Sequence, residues 1–166
     1  MTWLGRPNEL ARTRLEYWTE LVSLMRRRNS LIVFNGPSSS HQLRATADAL
    51  GSGDFTLIAL ATVRPARIGV GVETIASKGY FSELVKDRDG IEKEIGYEPV
   101  RKQVFEWNPE TKVNDIWLYW QVDFFERRKW PEQHEWLRAK LETFRKTLRP
   151  RVSERNRLRS APAASA

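Results

Sequence analysis

Three side chains of this sequence have the types that a metal-dependent hydrolase needs: Asp54, Glu73 and Lys78. Two carboxylates can hold a divalent cation, and a lysine beside them can orient or activate a water molecule. The spacing is unfavourable, because neighbours on one strand face are two residues apart and Glu73 and Lys78 are not. Asp54 lies in a turn-forming segment. We therefore expect no catalytic residue, no metal and no cofactor, and a divalent-metal-dependent nuclease is the third of three functional hypotheses.

The other groups capable of chemistry are two histidines, His41 and His134, and the serines at 38–40. The sequence has no cysteine and no H-x-x-x-H spacing, so a structural zinc site is not expected. The serines lack the spacing of a phosphate-binding P-loop and of a hydrolase nucleophile elbow. We interpret residues 35–40 as a loop. His134 continues the apolar stripe of a helix, which indicates a partly buried core histidine.

The charge balance favours a polyanionic partner. The net charge is +7 and the pI is about 10.0, a combination typical of proteins that bind nucleic acid. Four arginines against one glutamate after residue 150 supply part of this charge, so the remainder of the chain is only modestly basic. The candidate phosphate contacts are cations that we expect to be exposed, most of them before the tail and one at its start. They are Arg26, Arg27, Arg28, Arg67, Arg127, Arg128, Lys129 and Arg151.

Residues 26–28 have a second interpretation, since cations in the last turn of a helix complement the helix dipole. Seven tryptophans are a further feature of the sequence. Trp117 and Tyr119 would share one strand face. If that face is exposed, it can stack unpaired bases or bind a protein partner, because both rings are common in such interfaces. If a helix covers it, it belongs to the core.

The spacing of apolar residues predicts three helices that position these groups. The first covers residues 7–28, with Ala11, Leu15, Trp18, Val22 and Met25 on one face. The central segment, residues 78–99, reads as a helix that Gly96 ends, with a break expected at Asp89 and Gly90. The third covers residues 130–148 and is expected to end at Pro150.

Alternating or continuous apolar segments predict strands at residues 31–34, 55–63, 67–75, 100–107 and 115–123. Gly69 and Gly71 would lie on one face of the third of these, which implies close approach by a helix, an aromatic ring or a ligand. Hairpin-like connections favour a mainly antiparallel sheet of about four to five strands, flanked by an N-terminal, a central and a C-terminal helix. The class is α+β. We expect one domain over residues 1–152 and a disordered Arg/Ala-rich tail over residues 153–166.

Four segments resemble an uncharacterised bacterial and archaeal family described as a domain of unknown function. They are RLEYW at residues 14–18, FTLIALATV with RIGVGVET at 55–74, YFSELVKDRDGIEKEIG at 80–96, and WPEQHEWLRAKLETFRKTLRPRV at 130–152. Members of that family occur alone or behind restriction-endonuclease-like nuclease domains. The resemblance implies an α+β fold and an association with DNA-processing or defence genes, and it supplies no catalytic residues. The family's Ser-Arg-Ile-like start of the last strand is replaced here by VNDI at residues 113–116.

Together these observations favour a non-catalytic accessory module that binds nucleic acid and acts beside a nuclease or another defence protein. The alternative is a protein–protein interaction subunit or inhibitor that docks through the Trp/Tyr-rich face. The order of elements also looks like the core of PD-(D/E)xK nucleases without their site. No segment is apolar enough to span a membrane and no signal pattern begins the sequence, so we expect a cytoplasmic protein with no membrane partner. The sequence leaves the oligomeric state open.

Overall fold

The structure, a computed structural model, describes residues 6–75, 80–109 and 112–160. Within these residues the elements follow one another as α1 (Pro7–Arg27), β1 (Gln42–Arg44), β2 (Phe55–Val63), β3 (Ala66–Ile75), α2 (Tyr80–Lys86), α3 (Arg88–Ile95), β4 (Gln103–Asn108), β5 (Val113–Trp120) and α4 (Trp130–Ser160). Short 3-10 turns precede β4 and α4, at Pro99–Arg101 and Arg127–Lys129.

The five strands form one antiparallel sheet in the order β1-β2-β3-β5-β4. Ile68 on the central strand lies opposite Ala61 on β2 and Trp120 on β5, and Gln103 on β4 also lies opposite Trp120. The long helices α1 and α4 pack against each other and α4 packs against β2 and β3. The predicted α+β class, with an antiparallel sheet and N-terminal, central and C-terminal helices, is confirmed.

The main core lies between the helices and one face of the sheet. Alternate residues of the strands point to this face, as the period of two requires, and meet the apolar stripes of the helices. Its fully buried residues include Trp18, Leu21, Leu57, Val70, Leu118, Leu141 and Phe144. On α1 the buried stripe runs through Thr13, Tyr17 and Leu21, whereas Leu15, predicted on that stripe, is 43 % exposed.

The opposite face of the sheet carries a second, smaller cluster of Ile58, Leu60, Trp117 and Tyr119. The two aromatic rings are stacked on each other, with centroids 5.5 Å apart and planes 7° apart. A Cβ atom added to Gly71 would lie 2.3 Å from the Trp117 ring. The predicted close approach at this glycine is therefore made by an aromatic ring.

The boundaries of several elements differ from the predicted ones. The strand expected at residues 31–34 is reduced to a single bridge between Phe34 and Ala45, and the short polar strand β1 was not predicted. A 3-10 turn replaces the predicted start of β4, so Val100 is almost fully exposed. The central helix breaks at Asp87 rather than at Gly90, which lies inside α3.

The prediction that Pro150 ends the last helix is wrong, because α4 continues to Ser160. Proline removes one backbone hydrogen bond from a helix interior. Contacts on both sides of Pro150 offset that loss: Leu148 and Val152 are buried, and Arg151 bonds to acids of the central helices. Α4 thus enters the segment expected to be disordered, residues 153–166, whose last six residues lie outside the described ranges. No helix among the described residues is long and apolar enough to cross a membrane.

Candidate nucleic-acid interface

One end of the sheet gathers four chain segments. Gln42 lies opposite Leu60, Val63 opposite Ala66, and Gln103 opposite Trp120. Four segments therefore meet at the same end of the sheet: the residues before β1, the β2–β3 turn, the residue before β4 and the residues after β5. A backbone bond from Gln121 to the Lys102 carbonyl, 3.1 Å long, ties two of these segments together.

The N-terminal half of α1 lies against this end. The Trp18 indole nitrogen donates to the Ser40 carbonyl oxygen, 2.8 Å away, which holds the segment before β1 on the helix. Glu16 pairs with Arg127 at 2.6 Å, and Tyr17 packs edge-on against Phe124. We call this surface the basic sheet end and define it by seven of its residues: Arg14, His41, Arg67, Lys102, Arg127, Arg128 and Lys129.

Arg67 lies flat on the Tyr119 ring, with its guanidinium carbon 3.6 Å from the ring centroid. Such stacking holds a guanidinium in place without using its hydrogen-bond donors. Its Nε is buried and has no hydrogen-bond partner, and Glu73, an acid on the same strand face, pairs with Arg44 instead. Arg67 is therefore a fixed cation that is not neutralised by this acid.

The three cations at 127–129 form the 3-10 turn before α4 and differ in availability. Arg127 pairs with Glu16 and also lies over the Trp130 ring, 4.6 Å from its centroid. Lys129 pairs with Glu126 at 3.2 Å. The side chain of Arg128 is 84 % exposed and lies 3.9 Å from Glu126, a weak contact. Arg128 is thus the member of this turn most able to bind a phosphate.

The remaining predicted cations lie elsewhere. Arg26, Arg27 and Arg28 are at the C-terminal end of α1, where Arg27 donates to Ser23 and Arg28 lies 3.5 Å from Glu135. This location fits the dipole interpretation of the triplet.

Arg151 is on α4 and is enclosed by two acids, Asp87 at 2.8 Å and Glu94 at 3.0 Å. Its hydrogen bonds raise the pKa of the Arg151 guanidinium, with the bond to Glu94 as the largest cause. Arg151 therefore links α4 to the central helices, and the structure does not bring it to the basic sheet end.

Trp117 and Tyr119 are 4 % and 6 % exposed. Burial raises the pKa of the Tyr119 hydroxyl to about 12. The buried cluster that holds the two rings consists of residues of β2 and β5, and the described helices contribute none of its members. Their faces are not available for stacking bases, and they offer little area to a protein partner.

The whole basic sheet end lies inside a region shared with other proteins. A family model described as a domain of unknown function, DUF4268, matches residues 13–152. The chain belongs to this family. No curated protein and no solved structure matches the chain. The match begins next to Arg14 on α1 and ends at Val152, the buried residue after Pro150, so in this DUF4268 chain it takes in the sheet and most of α4.

Of the three residues considered for metal chemistry in this DUF4268 domain, the structure describes Asp54 and Glu73. Glu73 is on the outer face of β3 and pairs with Arg44 at 2.8 Å. Asp54 precedes β2 in a turn, and Lys78 lies outside the described residues. Among the residues that the structure describes, no group of three metal-ligating side chains occurs.

His134 is a buried histidine of α4, 4 % exposed, and its ring centroid lies 4.3 Å from that of Tyr17, with the ring planes tilted by 48°. Burial lowers the pKa of its imidazole to about 4, and a hydrogen bond to the Tyr17 backbone opposes that shift. It borders a cleft of about 290 Å³ between α1 and α4, lined also by Glu20, Arg27 and Glu135. The predicted core position of His134 is confirmed.

Arg14 and His41 were not among the candidate phosphate contacts, and His41 was considered only for zinc or hydrolase chemistry, although both lie at the basic sheet end. Arg14 is on the helix face next to Trp18, half-buried, and its Nε has no hydrogen-bond partner. The available signal was an arginine one helical turn before a tryptophan of the apolar stripe. A helical pattern cannot show which loop covers that arginine, so the sequence alone did not identify it.

Proposed function

We propose that this chain is a non-catalytic module that binds nucleic acid through the basic sheet end. The supporting observation is the presence of two half-buried arginines, Arg14 and Arg67, whose Nε donors have no partner among the described residues. The acids that neighbour them on their own elements, Glu16 and Glu73, pair with other arginines, so both guanidinium groups can form charge-assisted bonds to phosphate oxygens. Arg128 and Lys102 add exposed positive charge at the same end.

The contacts at this site are to phosphate rather than to bases. Arginine and lysine contacts to the backbone position a protein on nucleic acid without reading sequence. Since Trp117 and Tyr119 are interior, base stacking contributes little. Binding should therefore tolerate sequence and depend strongly on salt, because each phosphate contact releases counterions.

The family resemblance supports a particular kind of protein partner for this module. The module would act beside a nuclease or a restriction-like defence protein, in the cytoplasm where such systems meet DNA. The protein–protein alternative rests on the rings of Trp117 and Tyr119, and their burial leaves it with less support than the basic sheet end has.

The test is fluorescence anisotropy of a labelled duplex and of a single strand at about 50 and about 200 mM salt. Three to five phosphate contacts on the duplex weaken binding roughly 40- to 500-fold over that range. A variant with Arg155, Arg157 and Arg159 changed to Gln controls for the tail. Substitution is preferred to truncation at 150, which would remove the buried Val152. Absence of binding at low salt would overturn the proposal.

A further inference from the structure

The loop before β1 and the N-terminal half of α1 form a compact cationic corner. Trp18 holds the Ser40 carbonyl at 2.8 Å, and the Ala61 amide donates to the His41 carbonyl at 2.9 Å. The loop end is thus fixed on both sides. Arg14 precedes Trp18 by four residues, so the two side chains are neighbours on one helix face. The fixed loop therefore lies on the face of α1 that carries Arg14.

Charge in this corner is not balanced. Glu16, the acid of α1 nearest in sequence to Arg14, pairs with Arg127 instead. Arg14 has no hydrogen bond or ion pair among the described residues, and burial lowers the pKa of its guanidinium. The pKa of His41 is lowered first by burial and then by the charge of Arg14, as expected for two cationic groups on neighbouring segments. An anion between them would relieve both effects.

The loop also supplies neutral donors. The Ser38 hydroxyl oxygen accepts from the Ser40 amide, and the Ser40 hydroxyl oxygen accepts from the Gln42 amide, each at 3.2 Å. A hydroxyl that accepts in this way keeps its own hydrogen for donation. In the described part of the chain neither hydroxyl donates a hydrogen bond.

We propose that Arg14, His41 and the hydroxyls of Ser38 and Ser40 form a binding site for one phosphate group. A tetrahedral oxyanion accepts several hydrogen bonds at once, as this set of donors requires. The phosphate can be the terminal group of a nucleic-acid strand or free inorganic phosphate. In the first case the inference deepens the proposed function and rests on it, and in the second it stands without it.

The two histidines make the test direct. A two-dimensional carbon–proton NMR spectrum of the full chain should show imidazole signals from two histidines. His41 reports on the site, and His134 in the core is an internal control. We expect inorganic phosphate to shift the His41 signal in a saturable manner and to raise its pKa, while sodium chloride at equal ionic strength does not. His134 should not respond.

Variants assign the effect to the site. Arg14→Gln should weaken phosphate binding about 10- to 100-fold, the usual loss for a charge-assisted contact. Arg12→Gln removes the same charge from an exposed position two residues away and should leave the titration unchanged. The wild-type titration needs no variant, so a folding defect in Arg14→Gln would not obscure the result.

An oligonucleotide with and without a 5′-phosphate distinguishes the sources. A His41 shift that needs the 5′-phosphate identifies a strand end, and a shift with inorganic phosphate but no oligonucleotide binding supports this site while the proposed function fails. Nucleic-acid binding in which neither oligonucleotide nor phosphate moves His41 would overturn the site and leave the proposed function standing. A phosphate affinity at His41 that is unchanged in Arg14→Gln would also overturn it.

Discussion

Acidification should destabilise this fold through His134. The pKa of this imidazole falls from 6.5 to about 4 on folding, because burial penalises the charged form. The unfolded chain therefore binds a proton more readily than the folded chain between these two values. Stability is complete above about pH 6.5 and is lost as the pH falls towards 4. At 1.36 kcal/mol per unit, the loss is at most about 3 kcal/mol.

The groups around His134 determine how much of this limit is reached. Glu20 on α1 lies 3.9 Å from its Nδ1 and favours the charged form, but the Glu20 side chain is 60 % exposed and well solvated. Tyr17 and Trp130 supply the apolar surroundings, with ring centroids 4.3 and 5.7 Å from the imidazole. We therefore expect a loss of about 2 to 3 kcal/mol.

The assay is urea unfolding at intervals from pH 7 to pH 4, on the wild-type chain and on His134→Leu, which has a similar volume and does not titrate. The difference in unfolding free energy between the two should change by about 2 to 3 kcal/mol over this window. Protonation of paired carboxylates such as Glu135 also destabilises the fold at low pH, but it occurs in both chains and cancels in the difference. His41→Gln is the matched control, since its exposed imidazole should contribute less. Equal dependence of the unfolding free energy on pH in wild type and His134→Leu would show that titration of His134 does not destabilise the fold.

Three further predictions concern the sheet and the helix contacts. Gly71→Ala should destabilise the fold by about 1 to 3 kcal/mol or more in thermal unfolding, because the new Cβ would lie 2.3 Å from the Trp117 ring. Combining it with Trp117→Leu should cost less than the sum of the two changes, and additivity would contradict the contact. Lys140→Gln should lose about 1 to 2 kcal/mol, since its ammonium group donates to the Gly96 carbonyl at 2.6 Å and caps α3. Arg151→Gln should lower the Tm while leaving oligonucleotide affinity unchanged, because its charge is used by Asp87 and Glu94; an affinity loss like that of Arg67→Gln would contradict this placement.

The elements that the sequence predicted well have strong periodic patterns. The apolar strand predicted at residues 55–63 has the bounds observed for β2, and the alternating strand predicted at residues 67–75 differs from β3 by one residue at its start. The pair of glycines on β3 correctly indicated a close approach. These features depend on neighbours within one element or on a single facing strand, and local patterns carry that information.

The features that were missed depend on contacts between distant segments. The polar strand β1 exists because it completes the edge of β2, and α4 passes Pro150 because Val152 and Arg151 have partners elsewhere. The same reason explains the candidate site. The availability of a cation depends on which acids reach it, so Arg151, prominent in sequence, is paired, and Arg14, unremarkable in sequence, is not.

The most direct test of the account compares salt dependence in two charge-matched variants. Arg67→Gln with Arg128→Gln removes two charges from the basic sheet end, and Arg26→Gln with Arg27→Gln removes two from the far end of α1. Binding to a labelled duplex is measured by anisotropy over a range of salt concentrations. If the duplex binds at the basic sheet end, the first variant lowers the slope of log affinity against log salt by about 1.8, and the second leaves it near the wild-type value. Equal effects of the two variants, or no effect of the first, would contradict binding at the basic sheet end.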